Sequence, residues 1–478
     1  MNAEQKKSVA VAALTGTKTV TQIAIENESS RKFVRGQKAK ATDAIDAAFD
    51  PAPNPDKVLF LLPVTQQLMD QLTLSLLLVC KGSYRNITTL LNDVFDYATS
   101  PGTIAAIVSS AVKKAQQIHT MEDLSGIKVT ANDELFHHNK PILSGIDTQS
   151  LYCYLLSPET HRDEVTWAIK LMECQQKGFN PERTLGDDAG GLVSGHKIAF
   201  PNVPYHYDIF HLYRGLMDLR RFFRNRLKTA ITEGEYFLQQ SQKWPKDIRT
   251  RQQRIDTQAN ETKARTISKT LDTLISWLDH DILNKAGPTK NQRRELYNFV
   301  VDEFKKLEIL EPHRISVMRI TLENKREAAL GFVDVLEVKF AAIRDQFSIS
   351  MESVWSMCVL QRCHAMEYQY VLRSELLEAE LGDRFDAIED AVIAALYSTE
   401  RTSSMIENLN GRVRKHLYYR QECGRGFLDL LRFYFNHTHF LRSTRAERHK
   451  KSPAEILSGK PHPHWLEMLG FERFKRAA

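Results

Sequence analysis

Near residue 127 the spacing of apolar side chains changes from a helical repeat to an alternating one, and after residue 210 it changes back. That switch is the strongest constraint on the fold, because a pattern of period two and one of period 3.6 cannot serve the same element. Ile127–His137, Pro141–Asp147 and Leu151–Leu156 read as short strands rich in β-branched and aromatic residues. They are separated by turn chemistry at His138-Asn139-Lys140 and Asp147–Ser150. A helix over about Arg162–Lys177, ended by Gly178, leads to a short strand Arg183–Asp187, an apolar helix start and Tyr205–Phe210. Strands and helices in this order make a mixed α/β unit set inside an otherwise helical chain.

Before it, Glu4–Leu14, Val20–Glu26 and a helix from Arg31 toward Phe49, capped at Ser29-Ser30, have the order of a helix-turn-helix module over residues 1–50. Arg31, Lys32, Arg35 and Lys38 lie on or near one face of its third helix and are candidates for DNA contact. Three prolines within Asp50–Asp56 mark a linker, taken as residues 51–62. Thr65–Cys80, Ser83–Tyr97 and a helix opened by Ser100-Pro101 form a second module over 63–125, either helix-turn-helix or a plain three-helix bundle, with Lys113 and Lys114 as its DNA candidates. After the α/β segment (126–228), residues 229–398 are helical in pattern, with Arg220–Leu238, Lys263–Asp281, Thr289–Leu310 and Ala328–Val371 as the main runs. The polar stretch Gln239–Asn260 reads as a connection or an exposed helix. Residues 399–478 close the chain with a helix started by Ser403-Ser404, an aromatic helix near Phe427–Tyr434 and a helix opened by Ser452-Pro453.

The net charge of +6 is mild but unevenly placed. Arg401–Lys451 holds twelve Lys/Arg against four Asp/Glu, Arg214–Lys228 six against one, and Lys18–Lys40 six against two. Any one cluster could be a solvated helix face; three in one chain favour a polyanionic partner. Six scattered cysteines without a CxxC pair fit reduced thiols, and no stretch reads as a signal peptide or membrane span. Both point to a cytoplasmic protein with no membrane partner, and the basic clusters add the expectation that it is nucleoid-associated.

Acids from separate elements carry the chemistry. Asp133 lies in the first strand, Asp187 just past the strand Arg183-Thr-Leu-Gly186, and Glu407 at the start of a helix. A lone Asp at a strand end is ordinarily a cap. Three acids on converging elements are what two hard divalent ions, about 3.5–4 Å apart, require for phosphoryl transfer. Glu134 points away from Asp133, since strand neighbours face opposite sides. Asp147 reads as a turn residue, and His137 and His138 as polar strand-end residues.

The phrases Asp133-Glu-Leu-Phe, Pro141-Ile-Leu-Ser-Gly, Gly186-Asp-Asp-Ala-Gly-Gly-Leu192 and Tyr207-Asp-Ile-Phe-His211 occur in the order found in bacterial insertion-sequence transposases of the DDE type, whose RNase H-like core the stretch Asn132–His211 resembles. Asp208-Ile-Phe-His211 is similar to the C/D-x-x-H signature of the Mutator-like and hAT-like branches, which carry a helical insertion between the second Asp and the Glu. Here 220 positions separate Asp187 from Glu407, and Ser403-Ser-Met-Ile-Glu407-Asn resembles the Glu motif. The resemblance spans about residues 125–460. It implies an RNase H-like core interrupted by an all-α insertion, preceded by helix-turn-helix modules. It also implies a transposase that cuts and joins element ends, acting on DNA as a homodimer or higher oligomer.

Asp133, Asp187 and Glu407 are then the metal ligands for two Mg²⁺ (or Mn²⁺) ions, with Asp188 the alternative second acid. Asp208 and His211 support the site from behind the ligands. Arg412, Arg414 and Lys415 follow Glu407 toward the DNA backbone, Arg414 roughly 10 Å beyond it. Trp277 in the insertion either stacks on a base, as aromatics do in relatives with such insertions, or belongs to the core. The competing readings are a nuclease of the same fold without strand transfer, a domesticated DNA-binding protein, and a helical scaffold.

Overall fold

Alternation in three consecutive segments, each joined by a tight turn, produces the antiparallel half of a sheet, and two later short strands add to it in parallel. The computed structural model describes residues 1–49, 62–363, 367–401, 404–443 and 445–474. The expected linker at 51–62 lies, but for Leu62, outside the described residues, as does Ser403 at the expected start of the Glu407 helix. The chain divides into two units, Met1–Thr65 and Gln66–Ala478.

The smaller unit holds α1 (Ala3–Thr15), α2 (Val20–Glu26) and α3 (Arg31–Phe49). Capping boxes at Asn2 and Thr19 start the first two helices, satisfying backbone donors that would otherwise lack partners. Its core is small: Val9, Ala13, Ile23, Ala24 and Val34.

In the larger unit α4 (Gln66–Leu78), α5 (Tyr84–Phe95) and α6 (Pro101–Thr120) precede β1 (Val129–His137), β2 (Lys140–Asp147) and β3 (Cys153–Pro158). Then come α7 (Glu164–Gln175), β4 (Arg183–Gly186), α8 (Gly190–Ala199) and β5 (Tyr205–Tyr207). The sheet order is β3-β2-β1-β4-β5, with β1–β2 and β2–β3 antiparallel and β1–β4 and β4–β5 parallel. His138 and Asn139 take positive φ in the β1–β2 turn, the left-handed geometry that a two-residue hairpin loop needs.

Helices cover both faces of the sheet. Ala131, Leu135, Ile142 and Ile146 point one way, into a core shared with α4–α6 and with two later helices, α16 (Ser404–Leu417) and α17 (Arg425–His437). Leu143 and Tyr154 point the other way, onto Trp167 and Leu171 of α7 and Leu192 of α8. The helices of residues 63–125 therefore do not stand as an independent module. Leu74, Leu77, Ile104 and Val108 are buried in the same core as the strands.

The helical part is α9 (Ile209–Lys243), α10 (Ile248–Trp277), a wide π turn at Leu278–Ile282, α11 (Lys290–Leu310), α12 (Pro312–Phe347), α13 (Met351–Leu360), α14 (Tyr368–Leu381) and α15 (Phe385–Tyr397). They enclose their own core, from Ile209 and Leu216 on α9 to Leu396 on α15. Two expectations need correction. The boundary drawn at 228/229 falls inside the continuous helix α9, so the insertion grows directly out of the α/β part. The run Ala328–Val371 is not one helix: α12 begins at Pro312 and ends at Phe347, stopped by Ser348, whose φ of 51° cannot continue a right-handed helix. The polar stretch 239–260 is helical except for the turn at 244–247.

The chain ends with α16 (Ser404–Leu417), α17 (Arg425–His437), α18 (Pro453–Ser458) and α19 (Trp465–Met468). α17 covers the edge strand β3: the buried Asn436 side chain accepts from the Cys153 N–H (2.8 Å) and donates to its carbonyl (2.9 Å), pairing a backbone edge that would otherwise be buried without partners. All six cysteines are free. No helix among the described residues is long and apolar enough to cross a membrane.

Candidate active site

Parallel pairing of β1 with β4 sets the site. Asn132 pairs with Gly186, so the next residues along, Asp133 and Asp187, emerge side by side where β4 ends. β5 pairs with β4 in parallel and ends at the same edge. There the Asp208 N–H donates to the Gly186 carbonyl (2.7 Å), and the Asp208 carboxylate caps α9 by accepting from the Phe210 N–H (2.9 Å). His211 follows on the first turn of α9. Ligand crevices in open α/β sheets sit at such carboxyl ends.

Asp133 is 5% exposed and faces α16. One carboxylate oxygen accepts from the Glu134 N–H (2.7 Å) and the other from the Asn410 side-chain amide (2.6 Å). Burial pushes its carboxyl up to about 7; the Glu134 N–H opposes the shift, and the charges of Glu407, Asp187 and Asp208 add to it. Repulsion from three other acids means that all four lie close together. Among the described residues no Lys or Arg forms an ion pair with Asp133 or Asp187. Two adjacent aspartates without an ion-paired cation suit a hard divalent ion.

Ligand atoms of Asp133, Asp187 and His211 lie within 4.8 Å of one another. His211, expected to support the site from behind, thus presents its ring alongside the two aspartates. Glu407 is outside that trio; its carboxylate stands 4.0 Å from His211 Nε2 and 3.9 Å from the Arg414 guanidinium. The seven-residue spacing that puts Glu407 and Arg414 on one face of α16 is realised as this contact.

The two candidates for the second acid separate cleanly. Asp187 accepts from the Ala189 N–H (3.1 Å), and its carbonyl accepts from the Tyr205 hydroxyl (2.7 Å). That approach requires glycine at 186, where a Cβ would come within 2.1 Å of the Tyr205 oxygen. Asp188 is exposed and points outward to an ion pair with Lys325 on α12. Glu134, as the strand pleat dictates, is on the opposite face, accepting from Trp167 Nε1 (2.9 Å) and Arg162 (2.8 Å). Asp147 closes a turn, accepting from the Ser150 N–H (2.7 Å) and hydroxyl (2.5 Å).

Asn410 is the site residue that sequence reasoning passed over. Fully buried on α16, one turn after Glu407, it donates to Asp133 and accepts from the Ser144 hydroxyl (3.0 Å), which also donates to the Asp133 carbonyl (3.0 Å). It locks α16 to β1 and β2. The available signal was its i+3 spacing from Glu407 on an otherwise apolar helix face, where a polar residue needs a partner.

The basic candidates divide. Arg31 and Arg35 are exposed on α3, and Lys113 on α6. Lys114 is committed elsewhere, donating to the Leu469 carbonyl and standing over the Phe471 ring. Arg412 stacks on Phe435, its guanidinium 4.1 Å from the ring centre, whereas Arg414 and Lys415 are exposed. Trp277 does not belong to the core: it is 40% exposed, with its ring 5.6 Å from Phe299, and shares a surface cleft with Arg220, Arg265 and Lys269. No protein-family model matches the chain, and no curated protein matches it either.

Proposed function

We propose that this protein is a DDE-type DNA transposase, with an RNase H-like core whose acids Asp133, Asp187 and Glu407 hold two Mg²⁺ or Mn²⁺ ions. The observation that carries the reading is the gathering of these acids at one sheet edge. Asp133 and Asp187 come from adjacent parallel strands, and Glu407 is delivered by α16 after about 220 intervening positions. The mixed sheet with helices on both faces, interrupted by a helical unit with its own core, supports the same reading.

When bound, the ions supply an activated hydroxyl nucleophile and charge stabilisation at the leaving 3′ oxygen. The chain's own groups do the rest. Asn410 and the Glu134 N–H fix both oxygens of Asp133, so that the carboxylate is oriented before any ligand arrives. Asp187 is the second ligand and Asp188 is not, because Asp188 is turned away toward Lys325. His211, beside the aspartates, contributes a nitrogen donor or holds Glu407 in place through its Nε2. Arg414 and Lys415, exposed on the helix that carries Glu407, meet the phosphates flanking the scissile one, and Arg31, Arg35 and Lys113 also contact DNA.

The test is incubation of the full chain with DNA that flanks its own gene, in Mg²⁺ and in chelator. Metal-dependent 3′-end cleavage and joined products at terminal inverted repeats are expected, and both should vanish in Asp133→Ala, Asp187→Ala and Glu407→Ala while DNA binding survives. Hydrolysis without joined products would identify a nuclease of this fold. Full activity in Asp187→Ala would overturn the ligand set.

A further inference from the structure

A second group of metal-ligating side chains lies in the C-terminal region, and nothing in the proposed reaction uses it. His439, just past the end of α17, and His462, after α18, converge on Glu455 of α18. Ligand atoms of His439, Glu455 and His462 lie within 4.8 Å of one another. His439 Nε2 is 3.1 Å from the Glu455 carboxylate. We propose that His439, Glu455 and His462 form a site for a zinc-class divalent cation that staples the C-terminal segment to α17.

The surroundings have the features that such a site requires. Metal-bound histidine commonly gives its other ring nitrogen to a carbonyl, which fixes the tautomer. Here His462 Nδ1 is 2.6 Å from the Pro463 carbonyl, leaving the Nε2 lone pair for the ion; without the ion it accepts the Ser452 hydroxyl (2.6 Å), which turns away when the ion binds. Ser452 can donate in that direction because its oxygen already accepts the Glu455 N–H as the cap of α18 (3.1 Å). Glu455 is held as firmly, accepting from the N–H groups of Ser452 (2.9 Å) and His462 (3.3 Å). The His439 segment is fixed by backbone bonds between Phe440 and both Lys450 (3.0 Å) and Lys451 (2.9 Å). Three oriented ligands from separate segments, two imidazoles and a carboxylate, suit zinc with a fourth position open to water. The His439 side chain is 42% exposed, which gives the ion a way in. Closing the trio would tie the end of α17 to the segment leading into α19, where Trp465 already packs on Tyr434 with ring centres 5.2 Å apart. The role is structural and does not depend on the transposase reading.

The test uses the full chain stripped of metal by a chelator, in an Asp187→Asn background that removes a ligand of the other group. Co²⁺ is titrated by visible absorbance and Zn²⁺ by calorimetry. One equivalent should bind, with a cobalt spectrum showing nitrogen ligands and displaced by zinc, and zinc should raise the melting midpoint. His439→Ala, at an exposed position that leaves the fold intact, should weaken binding by more than the about 10–100-fold that losing an outer partner costs. Glu455→Gln, which keeps the helix cap, should do the same. Absence of stoichiometric uptake would overturn the proposal, as would uptake that His439→Ala leaves unchanged.

Discussion

Asp133→Asn isolates the electrostatics of the site from its packing. Asp133 is buried, and its carboxyl is raised from an ordinary value near 3.8 to about 7, first by burial and then by Glu407, Asp187 and Asp208. For an acid raised in this way, the protonated form favours folding. That contribution is complete below pH 4 and is lost as pH climbs to about 7, after which ionised Asp133 is a constant burden. The shift of about three units corresponds to a ceiling of about 4 kcal/mol at 1.36 kcal/mol per unit. At pH 5 little more than a third of that burden is present, about 1.6 kcal/mol, so the change between pH 5 and pH 8 is about 2–3 kcal/mol.

Asparagine removes the charge. It also alters one hydrogen bond, since a side-chain amide must replace an oxygen facing either the Glu134 N–H or the Asn410 amide. Asn410 can turn its own amide, with the Ser144 hydroxyl rotating to match. Whatever that adjustment costs, it is the same at both pH values and cancels in the comparison. In chelator, unfolding of Asp133→Asn relative to the parent should therefore shift toward greater stability by about 2 kcal/mol on going from pH 5 to pH 8. Urea or thermal unfolding of the Gln66–Ala478 unit at the two pH values measures it. An equal stability change at both would refute the charge argument and leave Asp133 as an ordinary buried carboxyl. Mg²⁺ at pH 8 should stabilise the parent and not the variant.

Three further outcomes follow from the geometry. Asp188→Ala should keep substantial cleavage activity while Asp187→Ala loses it, measured on the same DNA ends; the reverse pattern would assign the second ligand to Asp188. Asn410→Ala should destabilise the larger unit by about 1–3 kcal/mol in an unfolding experiment, because it strands a buried carboxylate oxygen of Asp133; it should also lower divalent-ion affinity by letting Asp133 move. Arg414→Ala should weaken binding of pre-cut ends about equally across sequences and reduce the salt slope by about one, with the Arg31→Ala/Arg35→Ala pair reducing it further; altered sequence preference with an unchanged slope would mean that Arg414 reads bases.

What could be read from the residues was whatever a local period or a local cap specifies. β1 to β3 fell within about two residues of the alternating segments, and Ser83, Ser100 and Ser452 cap helices where their position before apolar runs indicated. The alternation also put Glu134 on the face opposite Asp133, and the seven-residue spacing put Arg414 beside Glu407. What could not be read was set by partners distant in sequence. Lys114 looks like any exposed basic residue until Leu469 and Phe471, more than 350 positions later, fold over it. α4–α6 have the amphipathic pattern of a free-standing bundle because a helix face records that it is buried, not what buries it; the sheet and α17 turned out to be the cover. Trp277 failed in the opposite direction, since an aromatic within an apolar run predicts burial, yet it ends α10 at a cleft lined by Arg220 and Lys269.

Asn410 shows why the candidate site was only partly legible. Its sequence neighbours identify Glu407 as an acid on a helix, but the distance from that helix to Asp133 is fixed by one buried amide shared among Asp133, Ser144 and α16. In a low-dielectric interior such a bond is costly to break and directional, so it sets where α16 docks more sharply than the surrounding leucines can. The same amide holds one oxygen of Asp133, while the Glu134 N–H on the other works against the burial and repulsion that raise its carboxyl. In the proposed metal site, this anchoring keeps Asp133 close to the acid on α16. A divalent ion bound there would relieve the repulsion that Glu407, Asp187 and Asp208 exert on Asp133.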